Sequence, residues 1–277
     1  MALRTNCKSR RRHTMKTFRK FVMMGIGVPA VLAVAAVSVA QAPPPTAPPP
    51  AAAAPGDAWP PAGGPNHLPP KQDGPRTIAP YFTPVTSRPK APDADGFLER
   101  WLLLEPIGKP NRSNTVFTGS YVRSAFNTEY FPNQFTVVPH NGDKVTVAGQ
   151  ELAWHALDSA NFDVKLFRFA YGLNKPTYGV IFWAVTVVDS PREMKNVRLA
   201  VGSNSASMWW LNGNEAVALF DDRRMVMDDA VSKRLTLNKG RNVLRGAVIN
   251  GPGLSDFCVR FVDENGDPIK GITTSLE

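Results

Sequence analysis

The chain has 277 residues, a formal net charge of +9 and 20% charged residues. Eight of its 32 Lys and Arg residues lie within residues 1–42, which contain no Asp or Glu, so the rest of the chain is close to neutral. The basic balance belongs to the start of the chain, and net charge therefore gives no support to a nucleic-acid-binding class.

The start of the chain has the features of an export signal. A basic stretch precedes an apolar run, Phe21–Ala40, and the triplet Ala40-Gln41-Ala42 fits a small-residue cleavage pattern. We expect residues 1–42 to be a signal peptide, starting at Met1 or Met15. An uncleaved anchor is the alternative, because the apolar run is long enough to span a bilayer. Both interpretations predict a periplasmic or secreted protein.

Residues 43–96 form a linker that holds 17 of the 26 prolines. Such a composition favours extended polyproline II spacers and cannot build a core. Its end, Ile78–Val85, carries aromatic side chains, and we expect it to lie on the folded domain as a strap. Only Cys258 follows the signal, so no intramolecular disulfide is expected, and its alternating strand predicts a buried thiol.

Residues 97–277 have the pattern of one domain built from short strands. The strand candidates are Trp101–Leu104, Phe135–Val138, Lys144–Val147, Val164–Phe169, Tyr178–Val188, Val197–Val201, Ser207–Leu211, Leu235–Leu237, Asn242–Val248 and Phe257–Val262. Turns such as Asn212-Gly213 separate them, and Tyr121–Phe126 is a candidate short helix. Because a parallel sheet would need intervening helices, the pattern predicts an all-β, antiparallel sandwich or barrel.

Several segments carry a family resemblance. The segments VRLAVGSNSASMWWLNG (197–213) and LTLNKGRNVLRGAVINGPG (235–253) resemble the galactose-binding-like jelly-roll modules of secreted bacterial glycoside hydrolases. The segments FLERWLLLEPI (97–107), WHALDS (154–159), LFRFAYGLNKPTYGVIFWAVTVV (166–188) and DFCVRFVDENGDP (256–268) resemble exported bacterial proteins labelled acetylxylan esterase. The resemblance covers nearly all of 96–271. It implies either xylan deacetylation or a non-catalytic companion of esterase and glycosidase domains.

A serine esterase needs a nucleophile, a base and a group that orients the base. The chain lacks a G-x-S-x-G elbow, so the best catalytic hypothesis joins His155 and Asp158 to a serine from Ser203, Ser205 or Ser207. The competing interpretation places the histidine and aspartate at a turn and the serines along a solvated strand edge.

Our leading hypothesis is a non-catalytic carbohydrate-recognition or accessory module for plant cell-wall polysaccharide such as acetylated xylan. An exposed aromatic ring would stack on a sugar while polar loop residues bind its hydroxyl groups. The candidate ligand-binding residues are Trp154, Asn204, Trp210, Arg223, Arg224 and Asp228. The alternatives are an acetylxylan esterase and a structural envelope protein.

The expected partners and cofactors are few. A polysaccharide ligand is expected, nucleic acid is not, and membrane contact is expected only if the leader stays uncleaved. No cofactor is predicted, although the resemblance leaves a structural calcium ion open. The acidic run Asp263–Asp267 lacks the full EF-hand pattern and fits a hairpin turn better.

Overall fold

The computed structural model describes residues 76–110, 114–221, 223–251 and 253–276. The predicted signal peptide and the linker up to residue 75 lie outside the described residues. The strands are β1 (Phe82–Pro84), β2 (Arg100–Leu104), β3 (Ile107–Gly108), β4 (Lys144–Val147), β5 (Gln150–Ser159), β6 (Val164–Lys165), β7 (Val180–Ser190), β8 (Met194–Ser203), β9 (Ala206–Leu211), β10 (Asn214–Leu219), β11 (Ala230–Val231), β12 (Leu235–Leu237), β13 (Gly240–Asn250), β14 (Asp256–Val262) and β15 (Thr273–Ser275). The α-helices are α1 (Gly119–Asn127) and α2 (Leu166–Gly172).

Two antiparallel sheets make the domain. The larger sheet has the strand order β1-β5-β2-β7-β13-β9-β10, with β3 and β15 also paired to β7 and β4 to β5. The smaller sheet has the order β11-β8-β14-β6, with β12 also paired to β8. The predicted fold class, an all-β antiparallel sandwich, is therefore confirmed. Within the described ranges, no helix is long and apolar enough to cross a membrane.

The main core lies between the two sheets. Trp101 and Trp209 of the larger sheet meet Phe257 of the smaller sheet, with ring centroids 5.0 to 5.9 Å apart and tilted or edge-on rings. Gly246 makes room for this cluster, because a Cβ at that position would lie 2.2 Å from the Trp209 ring. Trp209 is thus fully buried between the two sheets.

A second apolar layer covers the outer face of the larger sheet. It consists of α1, the β4–β5 hairpin and residues 128–140, which we call the cover loop. Strand β7 is therefore enclosed on both faces, and only Asp189 within it is not fully buried. The continuous apolar run from Tyr178 to Val188 predicted this double burial.

The end of the proline-rich linker lies on the sandwich, as the strap prediction expected. Strand β1 pairs with β5, and Phe82 is buried with its ring 6.2 Å from that of Phe169. Further along, Lys90 forms a bridge with Thr274. The packed part of the chain therefore begins before residue 97.

Some predicted elements were wrong. Phe135–Val138 is not a strand but part of the cover loop, where Asn133 has a positive φ of 64° and its carbonyl accepts from the Val137 amide at 3.1 Å. Val164–Phe169 gives only the short β6 before the chain turns into α2. Strands β5 and β10 were not predicted at all.

Candidate functional site

The residues of the proposed catalytic triad do not converge, so that hypothesis is wrong. His155 and Asp158 lie on β5, whereas the three serines lie at the end of β8, in the turn that follows it and at the start of β9. Strands β2, β7 and β13 separate β5 from β9, which at about 4.8 Å per strand puts them about 19 Å apart. A serine and its base must lie within hydrogen-bonding reach.

The same side chains have structural partners instead. Asp158 accepts from Arg100 at both oxygens, with Nε at 2.8 Å and Nη2 at 3.0 Å. The ring of His155 lies 3.4 Å from a carboxylate oxygen of Glu105.

The serines are also structural. Ser203 and Ser207 are fully buried and hydrogen-bond to each other at 2.8 Å, and Ser207 also accepts from the indole N–H of Trp209. Ser205 is 3% exposed. Their expected place on a solvated strand edge is therefore wrong as well, because the chain crosses from the smaller sheet to the larger one at this buried turn.

Of the predicted sugar-binding residues, the polar ones hold loops together. The side-chain oxygen of Asn204 accepts from the Asp256 amide at 3.1 Å. Asp228 forms a bidentate pair with Arg260, whose Nε lies 3.0 Å away. Arg223 lies 3.3 Å from the carboxylate of Asp229, and Arg224 is exposed.

The two predicted aromatic platforms are not exposed. Trp154 is 4% exposed and Trp210 is 7% exposed, because the cover loop packs over both rings. The polar candidates also lie away from Trp210. Asn204 lies in the turn before β9, and Trp210 is four residues beyond the start of that strand, which corresponds to about 13 Å of extended chain. The predicted set therefore does not form a single surface.

A different constellation surrounds Trp210. A cavity of about 180 Å³ is lined by Asn127, Phe135, Trp210, Gly213 and Arg245. Four elements supply these residues: the end of α1, the cover loop, the β9–β10 hairpin and β13. The hairpin turn has positive φ angles at Asn212 (50°) and Gly213 (82°), which is the type I′ geometry that the Asn-Gly pair favours. We call this the Arg245 cavity.

Arg245 places a charge in an apolar face. Across the larger sheet it is paired with Val185 on one side and with Trp210 on the other, and all three project towards the outer layer. The next residues on the same face of β13, Ala247 and Ile249, are fully buried. A cation at this position is costly unless hydrogen bonds or an opposite charge compensate it.

That compensation is incomplete. Arg245 is 3% exposed, and its Nη2 donates to the carbonyl of Val137 at 2.8 Å. Its Nε and Nη1 have no hydrogen-bond partner among the residues that the structure describes. Burial, with a smaller contribution from the charge of Arg241, lowers the pKa of Arg245 to about 10, so it is still protonated at neutral pH.

Aromatic rings form the wall beside this guanidinium. Trp210 stacks on Trp183 with centroids 5.6 Å apart and planes 18° apart. Phe135 meets both indoles edge-on, at 5.7 and 6.1 Å. The cavity thus combines ring faces with an incompletely bonded cation, and Asn127 adds an exposed amide at its rim.

Other places in the fold are less suited to binding. A cavity of about 500 Å³ beside the strap is lined by Arg100, but each nitrogen of that guanidinium is already hydrogen-bonded, to Asp158, to Thr86 or to the Arg88 carbonyl. In the described ranges, no group of three or more His, Cys, Asp or Glu side chains could hold a metal ion. The Asp263 carboxylate instead accepts from the amides of Asn265 and Asp267 in a hairpin turn, as predicted.

Cys258 has the environment of a structural thiol. It is 1% exposed, and burial raises its pKa to about 12, so it is not a thiolate at neutral pH. The predicted buried thiol is confirmed.

Comparisons with known proteins give limited similarity. No protein-family model and no curated protein matches the chain. Among solved structures, a PA14 sugar-binding domain from an RTX adhesin is 11% identical, with a TM-score of 0.36, and the alignment covers 65% of this chain and 100% of that one. The PA14 domain of the antifreeze protein MpAFP is 10% identical, with a TM-score of 0.35, covering 70% and 95%. The functional proposal rests on the Arg245 cavity and not on these likenesses.

Proposed function

We propose that this chain is an exported carbohydrate-recognition module that holds a sugar residue in the Arg245 cavity. The observation that carries the proposal is the buried guanidinium with two unpartnered nitrogens beside the stacked pair of Trp183 and Trp210. A binding site typically joins apolar and aromatic walls to a few placed polar groups, and this cavity has that composition.

The chemistry of a sugar matches both parts of the cavity. The C–H face of a pyranose ring is apolar and packs against aromatic ring faces and edges. Its hydroxyl groups can accept hydrogen bonds from the N–H groups of Arg245. They can also donate to the amide oxygen of Asn127 or accept from its NH2 group. Nε and Nη1 of Arg245 are each buried from solvent, so a ligand that draws the guanidinium towards the cavity would satisfy donors that the described residues leave unpaired.

Affinity electrophoresis through gels that contain polysaccharide tests the proposal. Acetylated xylan comes first in the panel, because the sequence resemblance implies it, followed by deacetylated xylan, cellulose and pectin. We expect the full chain to be retarded in at least one gel. Replacing Asn127 with Ala should weaken that retardation about fivefold, the effect of losing about one hydrogen bond.

A matched control separates the cavity from the rest of its helix. Ser124 lies on α1 as well but does not line the cavity, so Ser124→Ala should leave retardation unchanged. Unretarded migration in every gel would overturn the proposal. Equal loss of retardation in both variants would place the binding surface elsewhere.

A further inference from the structure

We propose that the Arg245 cavity selects a sugar residue that carries a carboxylate. Such a residue is a uronic acid, and it would stand at a chain end or at a branch. The inference rests on the proposed function and names the chemical class of ligand for the same cavity. Its basis is the charge of Arg245, which a neutral sugar would leave without a counter-ion.

The surroundings of Arg245 lack a negative partner. Its sheet neighbours are Val185 and Trp210, and its one hydrogen bond runs to the Val137 carbonyl. No ion pair joins it to a carboxylate among the described residues. A carboxylate brought by the ligand would therefore form a charge-assisted pair in a site already shielded from water, where such a pair is strong.

The acidic residue that lies closest along the sheet is already neutralised. Glu215 follows Trp210 in the same cross-strand row, and its carboxylate pairs with Arg123 of α1 at 2.5 Å. Arg241, four residues before Arg245 on β13, adds a second positive charge nearby. The net field around the cavity therefore favours an anion.

The hydrogen-bonding geometry of Arg245 also fits two oxygens in one plane. One N–H of Nη2 lies parallel to the Nε–H bond and the other lies parallel to an N–H of Nη1. Only one of these two N–H groups of Nη2 donates to the Val137 carbonyl. The other N–H group lies parallel to an N–H of Nε or Nη1, neither of which has a partner among the described residues. A pair of parallel donors is therefore unpaired within the fold, and a carboxylate would take this fork in bidentate fashion once the guanidinium turns towards the cavity.

The size of the cavity limits the ligand to one residue. Its volume of about 180 Å³ is below the roughly 300 Å³ at which sites for drug-sized ligands begin. A single ring, or the acidic end of one, is the most that it can enclose. This predicts recognition of a chain end or branch rather than of an extended run of polysaccharide.

An equilibrium titration of the full chain, followed by NMR, tests this inference. The ligands are methyl glucuronide and methyl glucoside, the matched galacturonide and galactoside, and sodium acetate. Each sugar pair differs only at C6, where a carboxylate replaces a hydroxymethyl group. We expect one uronide to bind at least tenfold more tightly than its neutral partner and than acetate.

Two variants assign that preference to the cavity. Arg245→Met keeps an unbranched apolar stem and removes the guanidinium with its charge, so the uronide preference should disappear. Lys195→Met removes an exposed charge on β8 of the smaller sheet, away from the cavity, and the preference should remain. Cooperative urea unfolding of each variant confirms that it is folded.

The remaining outcomes are separable. Equal affinity for acidic and neutral sugars would overturn this inference and leave the proposed function standing. Acetate binding as tightly as the uronide would show an anion site without sugar recognition and overturn both. Retained preference in Arg245→Met would place the acidic subsite elsewhere. If none of the four sugars binds while the polysaccharide gels still retard the chain, this inference is overturned and the proposed function stands.

Discussion

At the scale of single residues, Arg245 links stability to binding. Its burial places a cation against apolar and aromatic neighbours with one hydrogen bond to Val137. A structural role alone would be served better by an apolar side chain of the same length, because replacing buried charges with hydrophobic residues is often neutral or stabilising. An arginine kept here therefore fits a role in recognition.

The stability of Arg245→Met measures this effect. The substitution loses one hydrogen bond, about 1 kcal/mol, and removes the uncompensated burial of a charge, which is of the order of 1–4 kcal/mol. We expect the free energy of unfolding, from urea titration, to rise by about 1–2 kcal/mol. The exposed Arg241→Met should change it by less than about 0.5 kcal/mol. A loss of stability in Arg245→Met would show that the guanidinium is satisfied in the fold.

At the scale of elements, the strap is held by a buried ion pair. Arg100 is 3% exposed and binds Asp158 through two nitrogens. It also donates to the Thr86 hydroxyl and the Arg88 carbonyl, which directly follow the strap. Asp158, which the sequence suggested for catalysis, therefore helps Arg100 to join the proline-rich segment to β2 and β5.

Breaking this pair should loosen the strap. Asp158→Asn leaves the Arg100 charge buried without its partner, and we expect it to lower the free energy of unfolding by about 3 kcal/mol. Trypsin should then cut after Lys90 faster in native protein. Glu151→Gln, which breaks an exposed pair with Lys144, is the control and should change neither result. Unaltered stability in Asp158→Asn would mean that hydrogen bonds other than this pair hold the strap.

The elements that sequence reasoning found and missed have identifiable causes. Strands with continuous or clearly alternating apolar residues, such as β7, β9 and β14, were predicted well. In β5 the inward residues Leu152, Trp154 and Ala156 do alternate, but Ala153 is apolar as well and acidic residues stand at positions 151 and 158, so the alternation was masked. Phe135 lies in the cover loop, whose shape depends on the Gln134 side chain. That side chain accepts from the Tyr130 amide and donates to the Thr128 carbonyl, which no periodicity reveals.

At the scale of the whole molecule, the Arg245 cavity lies on the outer face of the larger sheet. The core between the two sheets faces the other way, so ligand contacts at the cavity leave the main packing of Trp101, Trp209 and Phe257 intact. The rigid sheet fixes Arg245 and Trp210, while the cover loop and the end of α1 complete the cavity. A site built in this way is preorganised by strands and adjusted by a loop.

The sequence could indicate part of this site. Trp210 was a candidate because of its place in the strand, and Arg245 stands out as a charge between the apolar residues Val243 and Ala247 of the same face. Their meeting with Phe135 and Asn127 depends on long-range pairing of β9 with β13 and on the path of the cover loop. Neither follows from local patterns.

Fluorine NMR on protein labelled with 5-fluorotryptophan tests most directly whether the Arg245 cavity binds sugar. Trp210→Phe and Trp154→Phe assign the two resonances, and the polysaccharide that retards the chain is added as oligosaccharide. We predict that the Trp210 resonance moves and saturates while that of Trp154, which lines a separate cavity, stays in place. An unmoved Trp210 resonance at saturating ligand would contradict the account.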